Sequence, residues 1–186
     1  MNNNEVTLSN RLEVKKELIS FLSSLPSNPK TLPDSPLTDL SLSSETVEKI
    51  NDLTEALEKL NPNPKPLLSA VHLLDGSWLL LYSTGQEIRS LEALPLGFKV
   101  GKIFQNIKLD SASFENKAFV QHKLICLQGY VRVTATFEPE LDSNTKLADK
   151  KIYVNFLERF LSIQKIAGIP TPILDPFKVV AARNPV

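Results

Sequence analysis

The side chains that could do chemistry are few and scattered along the 186-residue chain. A serine nucleophile needs a base within reach, and the spacing Ser-x-x-Lys occurs twice, at Ser27–Lys30 and Ser162–Lys165. That spacing is too common to indicate a hydrolase, and the sequence contains no Gly-x-Ser-x-Gly elbow. Paired carboxylates can act as acid and base, but Glu138 and Glu140 fall in a predicted loop, where solvated acids are usual. These patterns do not predict an enzyme.

Glu158 is the acidic residue with the most informative surroundings. Period-two alternation places it on a predicted strand face with apolar neighbours, which are Ile152, Val154, Phe156 and Phe160. A carboxylate on an internal face needs a partner, and Arg132 or Arg159 could supply one. A structural ion pair is favoured over a pair that recognises a ligand, and both remain open.

The sequence predicts neither a metal site nor a phosphate-binding loop. His72 and His122 are the only histidines and Cys126 is the only cysteine, so neither a Cys/His metal cage nor an internal disulfide is available. Cys126 is predicted to lie mid-strand as a small buried hydrophobe. Gly97 and Gly101 match no phosphate-binding loop. We therefore expect no cofactor and no metal.

The charge balance argues against a nucleic-acid partner. Lys and Arg number 21, as do Asp and Glu, so the basic excess that releases counterions from phosphate is missing. Residues 1–75 nevertheless carry seven basic and eleven acidic side chains, and residues 76–186 carry fourteen and ten. These are either two ordinary solvated surfaces or a basic rear half that faces anionic headgroups or the acidic front.

Targeting signals are not evident in the sequence as given. The start, MNNNEVTLSNRLEVKK, contains neither an apolar signal core nor an Arg-rich, acid-free transit peptide. The longest uninterrupted apolar run, Trp78–Tyr82, is far shorter than the ~20 residues of a spanning helix. We expect a soluble protein in a reducing compartment. Either it is synthesised in the compartment where it functions, or its targeting segment has already been removed.

Two amphipathic helices are predicted to position the first part of the chain. Apolar residues recur at helical spacing over 11–25, and again after a Ser43 or Ser44 N-cap up to residue 60. A Pro/Ser-rich connector over 26–42 separates them. Their polar faces are net acidic, so we expect them to pack on the second part of the chain rather than to adsorb to a membrane.

From residue 67 onward the pattern changes to that of strands. Strands are predicted near 76–84, 100–110, 112–124, 126–138 and 150–163, and they form an antiparallel meander that closes wholly or partly into a barrel. In the first strand Trp78, Leu80 and Tyr82 alternate with Leu79 and Leu81. A strand that is apolar on both faces suits a barrel wall with the N-terminal helices outside it.

Several of these motifs resemble the plastid lipid-associated protein, or PAP/fibrillin, family over residues 44–175. The most specific is LNPNPKPL…LLDGSWLLLYST, and it is followed in order by LGFKVGKIFQNIKLD, FENKAFV, GYVRVTATFEPE and KIYVNFLERF. The resemblance implies an α+β fold, with helices over 1–66 packed on an antiparallel lipocalin-like β-barrel over 67–186. Family members end with two further strands, so closure of the barrel at the C-terminus is left open.

The same resemblance assigns roles to residues. Gly76-x-Trp78 is similar to the G-x-W opening of lipocalins, in which the Trp plugs the closed end of the barrel under a late-strand Arg. That Arg is not found here, so either the chain is a short form of the family or Arg183 or Arg89 takes its place. The residues implied to line a hydrophobic ligand site are Trp78, Leu80, Tyr82, Ile103, Gln105, Ile107 and Phe156. Gln105 would either orient the polar end of a ligand or satisfy another buried polar group.

The function that the resemblance implies is non-catalytic binding or sequestration of small apolar molecules, such as isoprenoids, fatty acids, carotenoids or quinones. Association with thylakoid membranes or lipid globules is implied with it. The expected location is the cytoplasm of a cyanobacterium, peripheral to such membranes or lipid bodies, or a plastid for a mature plant form. The alternative is a structural lipid-surface coat or protein-interaction module with a packed barrel. A lipid-modifying enzyme is the third hypothesis, for which the sequence offers no identifiable base or nucleophile.

Overall fold

The computed structural model describes residues 3–122, 126–142, 147–171 and 177–181, and it contains helices in the first part of the chain and a sheet in the second. The α-helices are α1 (Asn3–Ser24), α2 (Ser44–Lys59), α3 (Pro66–Ser69) and α4 (Gln86–Ser90). The strands are β1 (Leu37–Thr38), β2 (Gly76–Leu79), β3 (Tyr82–Ser83), β4 (Phe98–Lys108), β5 (Ser113–His122), β6 (Leu127–Glu140), β7 (Lys151–Ile166), β8 (Ile169–Pro170) and β9 (Phe177–Ala181).

Both predicted N-terminal helices are confirmed, and α1 begins earlier than predicted, at Asn3. Ser43 caps α2, because its hydroxyl accepts a hydrogen bond of 3.2 Å from the backbone N–H of Thr46. The two helices pack on each other, and the Lys49 ammonium lies 4.4 Å from the centre of the Phe21 ring. Ile50 is the buried residue of α2.

The proline-rich connector between these helices is attached to the sheet. The Leu32 N–H donates to the Val100 carbonyl at 2.8 Å, and Lys99 Nζ donates to the Pro29 carbonyl at 2.5 Å. A Cβ on Gly101 would lie 3.1 Å from the Asp34 side chain, so a glycine allows the connector to approach β4 this closely. The connector thus fixes the helical part against the start of β4.

The main sheet is antiparallel, in the order β2-β4-β5-β6-β7-β8, and β9 also pairs with β7. It curls into a half-barrel, so the predicted α+β class with an incomplete barrel is confirmed. The strands predicted for β4 to β7 are confirmed to within a few residues, although the end of the predicted 112–124 strand lies outside the described residues. A separate parallel pair joins β1 to β3.

The predicted strand over 76–84 is wrong in detail. It breaks after Leu79, and the rest of it turns away to form β3 beside β1. Helical turns then fill residues 86–97, where we expected only strands and loops. Leu79 and Leu81 are 45% and 44% exposed, so the expectation that the N-terminal helices cover them is also wrong.

The main core cluster lies at one end of the sheet. Val100, Ile103 and Ala118 are buried there. The partly buried side chains that pack on them come from the end of β2, from α4 and from the turns after α4, and they are Leu80, Ile88, Leu91 and Leu94. The helical turns over 86–97 therefore cover the first half of β4.

Candidate hydrophobic binding face

A tight turn positions the only tryptophan at the start of the sheet. Gly76 has φ +127°, which side-chain-bearing residues rarely adopt, and the Asp75 carboxylate accepts the Leu109 N–H at 2.9 Å. The Trp78 indole N–H donates to the Leu74 carbonyl at 2.9 Å. Trp78 is still 49% exposed, and its exposed ring therefore presents hydrocarbon without an unsatisfied donor.

Pairing register places Trp78 at the end of a row that crosses the sheet. Trp78 lies opposite Gln105, Gln105 opposite Asn116, and Asn116 opposite Val133. Directly opposed residues share a face in antiparallel strands, so these four side chains lie on one face, which we call the Trp78 face. Gln105 Nε2 donates to Asn116 Oδ1 at 3.2 Å, which forms an amide pair with Trp78 on one side and Val133 on the other.

The amide pair retains capacity for a further partner. Gln105 Oε1 accepts no hydrogen bond from the described residues. Asn116 Nδ2 donates no hydrogen bond to them. Their combination offers one acceptor and one donor side by side, which suits a carboxyl, hydroxyl or carbonyl group. Both side chains are only half-buried, so a ligand can reach them from the Trp78 face.

The structure brings most of the predicted lining residues to this face. Leu80 and Ile103 lie at one end, packed into the core cluster under the turns after α4. Ile107 lies at the other end, opposite Phe114. There Phe114 stacks on Phe137 and meets Phe156 edge-on, each at a centroid separation of 6.4 Å. The Trp78–Gln105–Asn116 row thus lies between two packed apolar clusters.

Tyr82 is the predicted lining residue that does not join this face. It lies in β3 beside β1, and its hydroxyl is buried without a hydrogen-bond partner among the described residues. Burial raises the pKa of Tyr82 above its ordinary value, and the nearby Asp39 carboxylate raises it further while Arg89 lowers it. Arg89 forms a bidentate pair with Asp39, with Nε 2.7 Å from Oδ1.

The predicted cover over Trp78 is not provided by Arg89, because its guanidinium is bound to Asp39. The other candidate, Arg183, lies outside the described residues. With half of its surface exposed on an edge strand, Trp78 is not the enclosed floor of a barrel in the described structure.

The opposite face of the sheet carries an aromatic and cationic array that the sequence analysis missed. The Lys117 ammonium lies 3.9 Å from the centre of the Tyr130 ring, and the Arg132 guanidinium lies 4.6 Å from that of Phe160. Arg132 Nη1 is 3.5 Å from Glu115 Oε2, while Arg132 Nε is buried without a hydrogen-bond partner among the described residues. These pairs depend on strand register, which alternation within a single strand does not reveal.

The proposed environment of Glu158 is corrected by a β-bulge. Register shifts between Thr134 and Ala135, so Glu158 pairs with Thr134 while Phe156 pairs with Ala135. The extra residue, Leu157, reverses the alternation, and Glu158 therefore shares a face with Phe160 but not with Phe156. The ion pair of Arg132 is with Glu115 rather than with Glu158.

The remaining candidates for chemistry are dispersed. Cys126 is exposed at the turn before β6, with φ +44°, and is not the buried mid-strand residue we predicted. His122 is buried with its ring edge-on to Phe98, and His72 is exposed in a 3-10 turn. Ser162 is fully buried opposite Tyr130. No group of metal-ligating side chains forms within the described ranges.

Other large features lie away from the Trp78 face. An open cleft of about 390 Å³ is lined by Asp39 and residues of α2, and another of about 350 Å³ lies between α1 and the end of α2. Of the helices in the described part of the chain, none has the length and apolar character to cross a membrane.

Comparison with known proteins finds relatives over most of the chain. The sequence profile of the PAP_fibrillin family matches residues 37–186. "Plastid lipid-associated protein 2, chloroplastic" of Brassica campestris is 32% identical over 76% of this chain and 49% of its own length. "Plastoglobulin-1, chloroplastic" of Pisum sativum is 26% identical over 76% of this chain and 45% of its own length. The chain spans about half the length of these curated relatives. No solved structure matches it.

Proposed function

Because the chain belongs to the PAP_fibrillin family, we propose that it binds or sequesters small hydrophobic molecules without catalysis, in contact with a lipid globule or a thylakoid membrane. The observation that carries the proposal is the Trp78 face, where an exposed indole and the Gln105–Asn116 amide pair lie between two apolar clusters. Ligand sites are commonly apolar surfaces with a few placed polar groups.

The amide pair limits the ligand chemistry. An apolar chain or ring would lie along Trp78 and Ile107, and a carboxyl, hydroxyl or carbonyl head would take the free acceptor or donor of the pair. Fatty acids, prenylquinones, hydroxylated carotenoids and other isoprenoids have this form. A hydrocarbon without a polar head lacks the hydrogen bond, so we expect it to bind more weakly.

A packed lipid-surface coat or protein-interaction module is the second candidate. It is favoured by the two clusters at the ends of the Trp78 face, which fill part of the space that a carrier would leave open. In that function the exposed leucines before and along β2 contact a lipid surface or a protein, and no ligand enters.

Titration with a fluorescent fatty acid and with a prenylquinone separates the two candidates. We expect the delipidated protein to bind either probe saturably, near one molecule per chain, with quenching of Trp78. Lipid that co-purifies with the protein, identified by mass spectrometry, would name the natural ligand. A coat predicts flotation with vesicles and no saturable probe binding, and that result would sink the carrier proposal.

Gln105→Leu tests the role of the amide pair. It keeps the apolar surface but removes the Oε1 acceptor, so binding of a fatty alcohol, whose hydroxyl can donate to that atom, should weaken about fivefold, the value of one hydrogen bond between neutral groups. Binding of a hydrocarbon probe should change little. Gln128→Leu is the matched control, because Gln128 is an exposed residue of β6 away from the row. Equal effects of the two variants would contradict the assignment.

The proposed location follows from the same membership. We propose peripheral association with thylakoid membranes or lipid bodies, in the cytoplasm of a cyanobacterium or in a plastid. Three of the relatives, from Brassica, Solanum and Pisum, are themselves named as chloroplastic. Fractionation of cells that express a tagged chain should recover it with lipid-rich membranes, and alkaline carbonate should release it.

A further inference from the structure

One face of α1 packs on α2. The half-buried side chains of α1 recur at the spacing of a single helix face, and they are Arg11, Val14, Leu18, Phe21 and Leu22. The contact is fixed in part by the Lys49 ammonium of α2, which lies 4.4 Å from the centre of the Phe21 ring. The directions of the other side chains of α1 follow from this face, since successive residues of a helix are about 100° apart.

A second apolar group of α1 is exposed beside that packed face. Leu8, Leu12 and Ile19 are 47%, 48% and 42% exposed in the described chain. Their directions fall within an arc of about 40°, which is centred about 100° away from the packed face. We call these three residues the α1 stripe. Single exposed leucines are common on protein surfaces, whereas an aligned group marks a contact surface.

The exposed charged residues in the middle of α1 are sorted about the α1 stripe. Lys15 and Lys16 lie on its two sides, about 40° and 60° from its centre. Glu13 and Glu17 lie about 120° and 160° from it. A lysine beside an apolar stripe can lay its methylenes along hydrocarbon and keep its ammonium among polar headgroups. The net acidity of the polar face, from which we expected no adsorption to a membrane, therefore conceals an apolar surface flanked by lysines.

A cleft at the first end of the α1 stripe adds two further cations. It is the cleft of about 350 Å³ between α1 and the end of α2, and Leu8, Arg11, Lys59 and Asn61 are among its lining residues. Lys59 lies 3.7 Å from Glu55, but the two side chains are 77% and 67% exposed, and so exposed a pair holds its cation only weakly. A phosphate group in the cleft would meet two cations, while hydrocarbon attached to it would lie against Leu8.

Given the proposed contact of this chain with lipid, we propose that the α1 stripe and the cleft form its contact with a phospholipid surface. Leu8, Leu12 and Ile19 enter the boundary between headgroups and acyl chains, and a headgroup phosphate lies between Arg11 and Lys59. Phosphatidylcholine supplies this phosphate, so the contact does not require anionic lipid. The family profile begins at residue 37, so α1 lies outside the matched part of the chain, and this role does not follow from family membership.

A polarity-sensitive fluorophore on α1 tests the assignment. In a Cys126→Ser background, Leu12→Cys carries nitrobenzoxadiazole on the α1 stripe, and the matched control Glu13→Cys carries it about 100° further around the helix. We expect phosphatidylcholine vesicles to shift the emission at position 12 to the blue and to raise it at least about twofold, because the dye enters a less polar layer. The emission at position 13 should change little. Flotation with the same vesicles measures how much of each labelled chain is bound.

Flotation of unlabelled variants gives an independent readout. Leu12→Ser should lower flotation about fivefold, since half of this side chain is already buried and only its exposed half gains from the lipid. Leu12→Met should float like the wild type, and circular dichroism should show the same helix content in both variants. Flotation without a change in emission at position 12 would overturn the α1 assignment and leave the proposed lipid contact in place. Absence of flotation would contradict both, and a blue shift that grows with protein concentration without vesicles would instead assign the α1 stripe to a second copy of the chain.

Discussion

The Tyr82 hydroxyl is a buried polar group without a hydrogen-bond partner in the described part of the chain. A hydroxyl in this position costs about 1–3 kcal/mol compared with a paired one. Tyr82→Phe removes the oxygen and keeps the ring, so its free energy of unfolding at pH 7 should equal or exceed that of the wild type by up to about 1 kcal/mol. Urea denaturation measures the difference, and a loss above 1 kcal/mol would mean that the hydroxyl is bonded.

The raised pKa of Tyr82 adds a pH signature. The unfolded chain ionises this phenol near pH 10, while the folded protein keeps it neutral to higher pH because of burial and of Asp39. The neutral phenol therefore makes its full contribution to the free energy of unfolding below about pH 10. This contribution is lost as the pH rises toward the folded pKa, by at most about 1.4 kcal/mol per pH unit. Denaturation between pH 8 and 11 should therefore show a steeper alkaline loss for the wild type than for Tyr82→Phe.

Single residues were predictable where their own chemistry demanded a position. A glycine after an aspartate predicted the turn at Gly76, and alternation predicted that Ile103, Gln105 and Ile107 share a face. Asn116, the partner of Gln105, was not predictable, because it depends on the register between two strands. The strand face of Glu158 was predicted wrongly for a related reason, since a β-bulge cannot be recognised from the alternation of residues within one strand.

At the scale of elements, the proline-rich connector is held by side-chain contacts to the helical turns over 86–97 and is not a free linker. Asp39 binds Arg89, and the Thr38 hydroxyl donates to Glu92, which also accepts from Asn28 Nδ2 at 2.6 Å. Thr38 is only 1% exposed. These contacts fix the connector to the turns that cover the main core cluster. Sequence composition identified only a Pro/Ser-rich connector here, and it could not show which distant side chains would bind it.

A double-mutant cycle measures the coupling energy between Asp39 and Arg89, which join the connector to α4. The two side chains are partly exposed, at 23% and 33%, so we expect a coupling energy of about 1 kcal/mol, near the upper end for surface pairs because the contact is bidentate. Asp39→Ala and Arg89→Ala should each lower the free energy of unfolding by about 1–2 kcal/mol, and the double variant by less than the sum. Additive losses would show that the pair contributes nothing.

The positions of the helices and strands along the chain were more predictable than the way in which these elements pack. α2 was located with Ser43 as one of its two predicted N-caps, and β4 to β7 were found because alternation and β-branched residues mark them. The break after Leu79 and the helical turns over 86–97 were missed, since they depend on β1 pairing with β3 and on the core cluster beneath those turns. Tertiary contacts overrode local preference at both places.

At the scale of the whole molecule, charge and exposed apolar surface predict different kinds of membrane contact. The net charge is zero, divided between an acidic front and a basic rear. One group of exposed apolar side chains lies just before and along the start of the sheet, and its members, each more than a third exposed, are Leu68, Val71, Leu73, Trp78, Leu79 and Leu81. An electrostatic contact would weaken steeply with salt, whereas an apolar contact would not.

We expect apolar contact to dominate the association with lipid. Flotation with neutral phosphatidylcholine vesicles should change less than twofold between about 20 and 300 mM salt, over which the Debye length falls several-fold. Leu73→Glu should lower flotation about tenfold, since it places a charge in the apolar cluster and an exposed side chain can change without loss of fold. Glu87→Leu is the control, at an exposed site of α4. Binding that requires anionic lipid and disappears at high salt would instead assign the contact to the basic rear half.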